Sequence, residues 1–369
     1  MEGQQFSGIL ELIGEKKFGF IREFRHDIPK GENDFFMPPA IIKKYKLRDG
    51  VVLEGTVRQG RKGAMQVNHI DSVMGVPTSV WARLAPFDSG HTIYPNEKFS
   101  LVTSPSDIAM RVVDLVTPLG KGQRALIVAP PRAGKTILMK QLAMALATNH
   151  PDVDIVGLLV DERPEEVTDF ARSTPATLFA SSNDREEDNH VRVSTLALEY
   201  ARRLVEMRRD VVLLLDSLTR LGRTFNLYSS GSGRIMSGGL DSRALNVPRK
   251  IFGSARNIED GGSLTIIATA LIETGSRMDE VILEEFKGTG NAEIVLDRKM
   301  ADKRIYPAIN LRKSRTRNEE LLLGEAVHQH HKLFRALNSR SPMDAMQALI
   351  RHMQQTPTNA DLLDELVPV

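Results

Sequence analysis

The chain contains no cysteine. That excludes disulfides, thiolate catalysis and cysteine-ligated zinc, and it fits a reducing cytoplasm. Long hydrophobic runs are missing too. No apolar stretch approaches membrane-spanning length and no signal peptide heads the chain, so no membrane partner is expected. Charge of one sign is also missing. Lys and Arg number 49 against 47 Asp and Glu, a net +2, so any polyanion must be held by local basic patches and stacking. Aromatic residues make up only 5%, which makes a cluster of phenylalanines informative. What is there is 369 residues, 41% hydrophobic and 26% charged. That describes a globular protein with a real core, long enough for two or three domains.

The strongest local signal is Ala129-Pro-Pro-Arg132-Ala133-Gly134-Lys135-Thr136. An apolar run, Ala125–Ala129, leads in, and an amphipathic run with Ile137, Leu138, Gln141, Leu142, Ala145 and Leu146 follows. Strand, tight loop, Gly-Lys-Thr and helix form the context of a phosphate-binding loop. Loop N–H groups and the helix N-terminus face phosphates, Lys135 reaches the outer phosphates, and the Thr136 hydroxyl binds Mg²⁺. Ala129 stands where the motif has its first glycine; its small side chain preserves backbone approach. The turn Gly120, Lys121, Gly122, Gln123, Arg124 precedes the strand and is counted with the nucleotide site.

Residues 6–75 read as five short strands with turn punctuation, a small barrel of OB type. Phe18, Phe20 and Arg22 alternate and leave one sheet face, with Gly19 keeping the backbone clear of a ligand. Phe35 and Phe36 follow on the next strand, after Asp34. Rings beside Lys16, Lys17 and Arg22 make a base-stacking platform; the competing reading is that they fill the barrel core, as one of Phe35 and Phe36 must. Residues 76–110, with scattered Pro and Gly and the sole Trp81, read as a connector.

From 111 to 369 strands and helices alternate, which implies an open parallel sheet covered on both faces, then two C-terminal helices and an acidic tail. Ligands then sit at the strands' carboxyl ends, where Lys135, Glu162 and Asp216 all fall. Asp216 closes an apolar strand and reads as the acid that supports Mg²⁺, with a helix N-cap as the alternative. Glu162 could polarise the attacking water or simply favour a helix start. The Gly/Ser stretch 228–239 is a surface linker or a mobile loop that touches a polymer, and Gly275–Asp279 is a second loop. The basic stretch 298–317 is a solvated face or a phosphate-contacting one.

Taken together, Gly19-Phe20, Asp34-Phe35-Phe36, Ala129–Thr136, Asp161–Asp169, Leu215–Arg220 and Phe286–Gly290 resemble the bacterial transcription termination factor Rho family over nearly the whole chain. The resemblance implies an α/β, RecA-like P-loop ATPase domain with an N-terminal five-stranded OB-type, cold-shock-like β-barrel. It implies a homohexameric ring that hydrolyses ATP with Mg²⁺, binds nascent single-stranded RNA, moves 5′ to 3′ and acts on the RNA polymerase elongation complex. By the same resemblance Arg132 binds phosphate, Arg163 senses the γ-phosphate and Tyr306 stacks near adenine. Arg317 is offered to the adjacent subunit with Arg304 beside it, and Arg234, Ile235, Met236, Ser237, Gly238 and Arg277 grip RNA in the central hole.

Three departures accompany it. The helical segment that usually precedes the barrel is missing, as in a naturally short form or a truncated chain. Arg61-Lys-Gly-Ala-Met65 replaces the tyrosine-bearing turn that holds cytosine, which leaves RNA sequence preference open. Arginines 234 and 277 replace the loop lysines. Two other functions compete: a rotary-type ring ATPase on the same fold, and an RNA-binding factor with a silent ATPase site.

Overall fold

The computed structural model describes residues 4–14, 18–31, 34–60, 63–228, 235–241 and 243–366. Five strands build the front end: β1 (Gln4–Ile13), β2 (Phe18–Arg22), β3 (Phe35–Met37), β4 (Val52–Gln59) and β5 (Met65–Val73). Their order is β3-β2-β1-β4-β5, and a β3–β5 pairing at Phe36 and Gln66 closes the barrel. Inward positions carry Leu10, Ile21, Met37, Leu53, Val57 and Val67, all buried. Alternation in the sequence made this face legible. Phe35 turns inward against Phe6, with ring centroids 6.0 Å apart.

The large sheet holds six parallel strands: β6 (Arg124–Ala129), β7 (Asp154–Glu162), β8 (Thr177–Ser182), β9 (Asp210–Asp216), β10 (Ser263–Leu271) and β11 (Ala292–Val295). They run β8-β7-β9-β10-β6-β11, and the short strand Arg315–Thr316 adds antiparallel to the β11 edge. Val211–Leu215 is buried throughout, as a strand covered on both faces requires. Two apolar clusters lie on the two sides of this sheet, one under the phosphate-loop helix Lys135–Asn149, the other under the helix Glu187–Glu206.

The stretch 76–110 is packed structure and not a bare connector. Trp81 is fully buried in the barrel core and its indole N–H donates to the Lys46 carbonyl at 3.3 Å. Phe87, Phe99 and Leu101 enter the two clusters of the large sheet, and Thr92–Ile93 pairs with Arg256–Ile258. Large apolar side chains, not proline and glycine, decide the character of this segment. Other expectations also change. The phosphate-loop helix is not cleanly amphipathic, because Ile137 is 64% exposed. Gly275–Asp279 is not wholly loop, since the helix Arg277–Lys287 begins inside it. The first C-terminal helix breaks at Gly324, whose φ is +54°, and the acidic tail folds as the helix Asn359–Leu366.

The barrel docks on the large body through matched charges and rings. Arg48 pairs with buried Glu206 at 2.8 Å, Phe24 packs on Phe179 and Tyr200, and the Ala180 amide donates to the His26 carbonyl at 2.6 Å. Gly50, at φ +79°, lies where a Cβ would stand 2.5 Å from the Tyr200 amide, so only glycine lets the two bodies meet.

Candidate ATP and RNA sites

Strand β6 delivers the chain into the loop 130–134, and the helix starts at Lys135. Ala129 pairs with Leu271 as ordinary extended strand. No left-handed backbone is required there, which explains physically why alanine serves where the motif has glycine. Left-handed φ falls instead on Arg132, at +66°, and on Gly134, at +96°, as the loop turns its N–H groups inward.

Three strand ends then converge. The Lys135 ammonium pairs with Asp216 at the end of β9 and lies 3.4 Å from the Glu162 carboxylate at the end of β7. The Thr269 hydroxyl of β10 donates to Asp216 Oδ1 at 2.7 Å. Arg220 approaches Glu162 at 3.2 Å through Nε and donates through Nη1 to the Asp161 carbonyl at 2.5 Å, bracing a residue whose φ is +56°. Glu162 and Asp216 are each only 3% exposed. Burial, reinforced by the Asp216 charge and opposed by Lys135 and Arg220, pushes Glu162 up to about 7. Asp216 makes these contacts while Ser217 caps the following helix, accepting from the Arg220 amide at 3.3 Å. The carboxylate is therefore not committed to capping.

Beside the loop a cleft of about 340 Å³ is walled by Ala133, Gly134, Ile137, Leu138, Tyr306 and Pro307. Tyr306 is 53% exposed and stands over Gly134. Arg163, Arg132 and Arg304 are exposed around this region; Arg163 immediately follows Glu162 and Arg304 precedes Tyr306 by two residues. Thr136 opens the loop helix one residue after Lys135.

Gly120–Arg124 do not join this site. They lie at the amino end of β6, whereas the phosphate loop leaves its carboxyl end. Lys121 is held there by Asp210, the first residue of β9, at 2.8 Å, and by Glu97 at 2.5 Å. Gln123 binds Asn291 at 2.8 Å, and Arg124 donates to the Thr289 and Ala255 carbonyls at 2.9 and 3.1 Å. Sequence adjacency to the strand was misleading, because a strand separates its two ends. Arg317 is also far from the phosphate loop of its own chain: its amide donates to Asn291 at the amino end of β11, and its charge bears on Arg124. Burial, then Arg256 and Arg317, hold the Arg124 guanidinium below its ordinary value.

On the barrel, Phe18, Phe20 and Phe36 form one half-buried cluster with ring centroids 5.8 to 6.0 Å apart. Their exposed edges share a surface while Phe35 belongs to the core. Gly19 faces the other way. A Cβ there would lie 2.6 Å from the Glu11 carbonyl, so this glycine serves barrel closure rather than ligand clearance. Arg22 is not a free phosphate neutraliser either. It is 6% exposed, donates to Glu11 at 2.6 Å, pairs with Asp34, and stands 4.8 Å from the Phe20 centroid. Lys16, Lys17 and the turn residues Arg61 and Lys62 lie outside the described residues.

The two loops in the large body meet. Residues Ile235–Met236 pair with Leu240–Asp241 as a short hairpin, and Gly238, at φ +76°, packs against the backbone of Arg277 and Met278. Arg277 is exposed; Arg234 lies outside the described residues, and for Ile235, Met236 and Ser237 only the backbone is described. Behind this contact Arg223 pairs with buried Asp279 at 2.5 Å, and Asn226 accepts from the Asp241 amide at 2.6 Å. Arg220, Thr269, Arg223 and Asn226 were not singled out from the sequence. Three of them sit on the helix directly after Asp216, which was the available signal.

Residues 109–316 match the profile of the ATP synthase alpha/beta family, nucleotide-binding domain, and residues 6–79 match that of the Rho termination factor, RNA-binding domain. Transcription termination factor Rho of Cereibacter sphaeroides is 46% identical over 365 residues, covering 97% of this chain and 86% of that protein. Its counterpart in Streptomyces lividans is 48% identical over 366 residues, 98% of this chain and 51% of that one. The solved structure of a prototypical ATPase from the type III secretion system of pathogenic bacteria shares the fold, with a TM-score of 0.63 at 22% identity over 75% of this chain and 86% of that one.

Proposed function

Because this chain belongs to the transcription termination factor Rho family, we infer that it is an RNA-binding ATPase that terminates transcription. One observation carries the reading. A cluster of three rings on a closed barrel and a buried Lys135–Glu162–Asp216 cluster beside a phosphate loop occur in a single docked chain.

The chemistry follows from the cluster. The loop amides and the helix start receive the phosphates, and Lys135 exchanges its carboxylate partners for phosphate oxygens. Glu162 sits in a dry site that favours its neutral form, so as a carboxylate it is a strong proton acceptor near neutral pH. It orients water for attack on the γ-phosphorus. The bond from that phosphorus to the β,γ-bridging oxygen breaks, ADP leaves with inorganic phosphate, and the water proton passes to Glu162. The hydroxyl of Thr136 and the buried carboxylate of Asp216 are hard oxygen donors suited to Mg²⁺, which when bound neutralises phosphate charge. Arg132 and Arg163 grip the outer phosphates. The base lies in the cleft between Ile137 and Tyr306.

A homohexameric ring completes the site. Arg317 lies away from the phosphate loop of its own chain, which supports its action on the nucleotide of a neighbouring copy, where it stabilises transition-state charge. The barrel, residues 1–75, takes nascent single-stranded RNA on Phe18, Phe20 and Phe36, with Asp34 and Arg22 setting the base edge. The meeting of Gly238 with Arg277 supports a second RNA contact in the ring's hole, completed by Arg234. Hydrolysis in 111–369 drives RNA 5′ to 3′ and releases the transcript from the polymerase. The protein works in the cytoplasm; among the described residues no helix is long and apolar enough to cross a membrane.

The test is ATP hydrolysis by the purified protein with and without single-stranded RNA. A rate strongly raised by RNA is expected. Equal, robust rates would favour a rotary-type ATPase, and no hydrolysis in either case would favour an RNA-binding factor with a silent site.

A further inference from the structure

The ring platform and the catalytic cluster are joined by a line of polar contacts that runs from Arg22 to Ser181 and then, through the backbone of residues 181–183, to Glu162. Arg22, beneath the Phe20 ring, donates to Glu11 Oε2. The same carboxylate oxygen accepts from Arg192 Nη1 at 3.2 Å, across 181 residues of sequence. Arg192 belongs to the helix Glu187–Glu206 of the large body. Its second arm, Nη2, donates to the Ile28 carbonyl at 2.5 Å and to Asn189 Oδ1 at 2.8 Å. The Asn189 amide then donates to the Ser181 hydroxyl at 2.7 Å, and the ring of His190 meets the same oxygen at 2.7 Å. Between Ser181 and Ser182 the register of β8 against β7 shifts, so that Ser182 aligns with Glu162. The Asn183 amide closes the line on the Glu162 carbonyl at 2.9 Å.

The four charges at the junction, Arg22, Arg192, Glu11 and Asp34, sum to zero, and no side chain among them exceeds 10% exposure. Shielded from water, such a set does not tolerate the loss of one interaction without redistributing the others. A base edge that engages Arg22 or Asp34 competes with this set for the same guanidinium and carboxylate. Glu11 then turns to Arg192. The guanidinium is a planar fork, so a change at one arm reorients the other, which holds Asn189.

We propose that Arg192 is a positioning residue that conveys occupancy of the ring platform to Glu162, so that RNA on the barrel raises the rate of ATP hydrolysis. The proposal rests on the RNA-binding ATPase reading above. It adds a route through the start of the helix Glu187–Glu206, ending at the irregular register that seats Glu162.

Two variants of the full chain test it. Arg192→Lys keeps a cation beside Glu11 but has no second arm for Asn189. Asn189→Ala leaves all four charges in place and cuts the next contact, so it decides the matter if the lysine variant fails to fold. Each is measured for affinity to a labelled single-stranded RNA oligonucleotide, thermal midpoint, RNA-free ATPase rate, and kcat and KM for ATP at saturating RNA. Both should bind RNA as the wild type does and unfold in one cooperative transition at a somewhat lower midpoint, because a buried hydrogen bond is lost, with RNA-free rate and KM unchanged. Their RNA-saturated kcat should fall by about 5-fold or more, the span of an ordinary coupling between sites. Full stimulation in the variants would overturn the proposal, and so would RNA affinity falling in step with stimulation, which would make these residues part of the platform. A wild type indifferent to RNA would instead remove the underlying function and the proposal with it.

Discussion

Replacing Glu162 by Gln separates two consequences of burying one carboxylate. Glutamine keeps the shape and loses the proton acceptor, so turnover should fall by about 10²- to 10⁴-fold, the usual contribution of general base catalysis. Stability should move the other way. Glu162 rises from 4.5 in the unfolded chain to about 7 in the fold, a value that already includes the pull of Lys135 and Arg220. A raised carboxyl favours the fold while protonated, and that contribution is lost as pH rises through the folded value. Between pH 4.5 and 7 the wild type therefore loses about 3 kcal/mol that the glutamine variant keeps. The assay is thermal or denaturant unfolding without nucleotide, at pH 8 and near pH 5, beside ATP turnover and nucleotide binding. The variant should be inactive, should bind ATP, and should be more stable than wild type at pH 8, with the gap closing towards pH 5. A variant less stable at pH 8 would refute the electrostatic argument. Turnover within tenfold of wild type would refute the catalytic one.

Three further outcomes are expected. The wild-type kcat/KM for ATP should fall about tenfold per pH unit below about pH 7, as Glu162 takes up a proton, and a flat profile from pH 8 to 5.5 would contradict its role as base. Phe20→Ala should weaken binding of single-stranded RNA by about 1–3 kcal/mol, the worth of one stacked base, measured by fluorescence anisotropy; unchanged affinity would return these rings to the core. Inactive Arg317→Ala and Lys135→Ala chains, mixed, should recover some hydrolysis, because a neighbour with intact Arg317 can serve an intact phosphate loop; no recovery at any ratio would argue against a shared site.

The parts of the site that were legible in the sequence are those fixed by local pattern. Lys135, Glu162 and Asp216 each follow an apolar strand, and in a parallel sheet the carboxyl ends of strands lie together. Alternation likewise sent Phe18 and Phe20 to one face, but it left open which of Phe35 and Phe36 turns inward; Phe35 does, so it leaves the set of RNA-binding residues in which it was counted. What stayed hidden depends on partners distant in sequence. Arg22 looked like a phosphate contact until Glu11 and Asp34 claimed it, with Glu11 shared by Arg192 of the other body. Trp81 stood among prolines and glycines, and its burial in the barrel is a tertiary fact. Gly19 was credited to the ligand, although the constraint comes from the neighbouring strand behind it. Gly120–Arg124 were assigned by proximity along the chain, when six residues of strand carry them to the opposite end of the sheet.

The central claim is that ATP hydrolysis here ends transcription by acting on RNA. Elongation complexes halted on a template, with a labelled transcript carrying an exposed single-stranded 5′ segment, test it most directly. Adding this protein with ATP and Mg²⁺ should release the transcript, and Glu162→Gln or a non-hydrolysable ATP analogue should not. Transcript that stays bound in every condition, while the protein hydrolyses ATP on free RNA, would contradict the account.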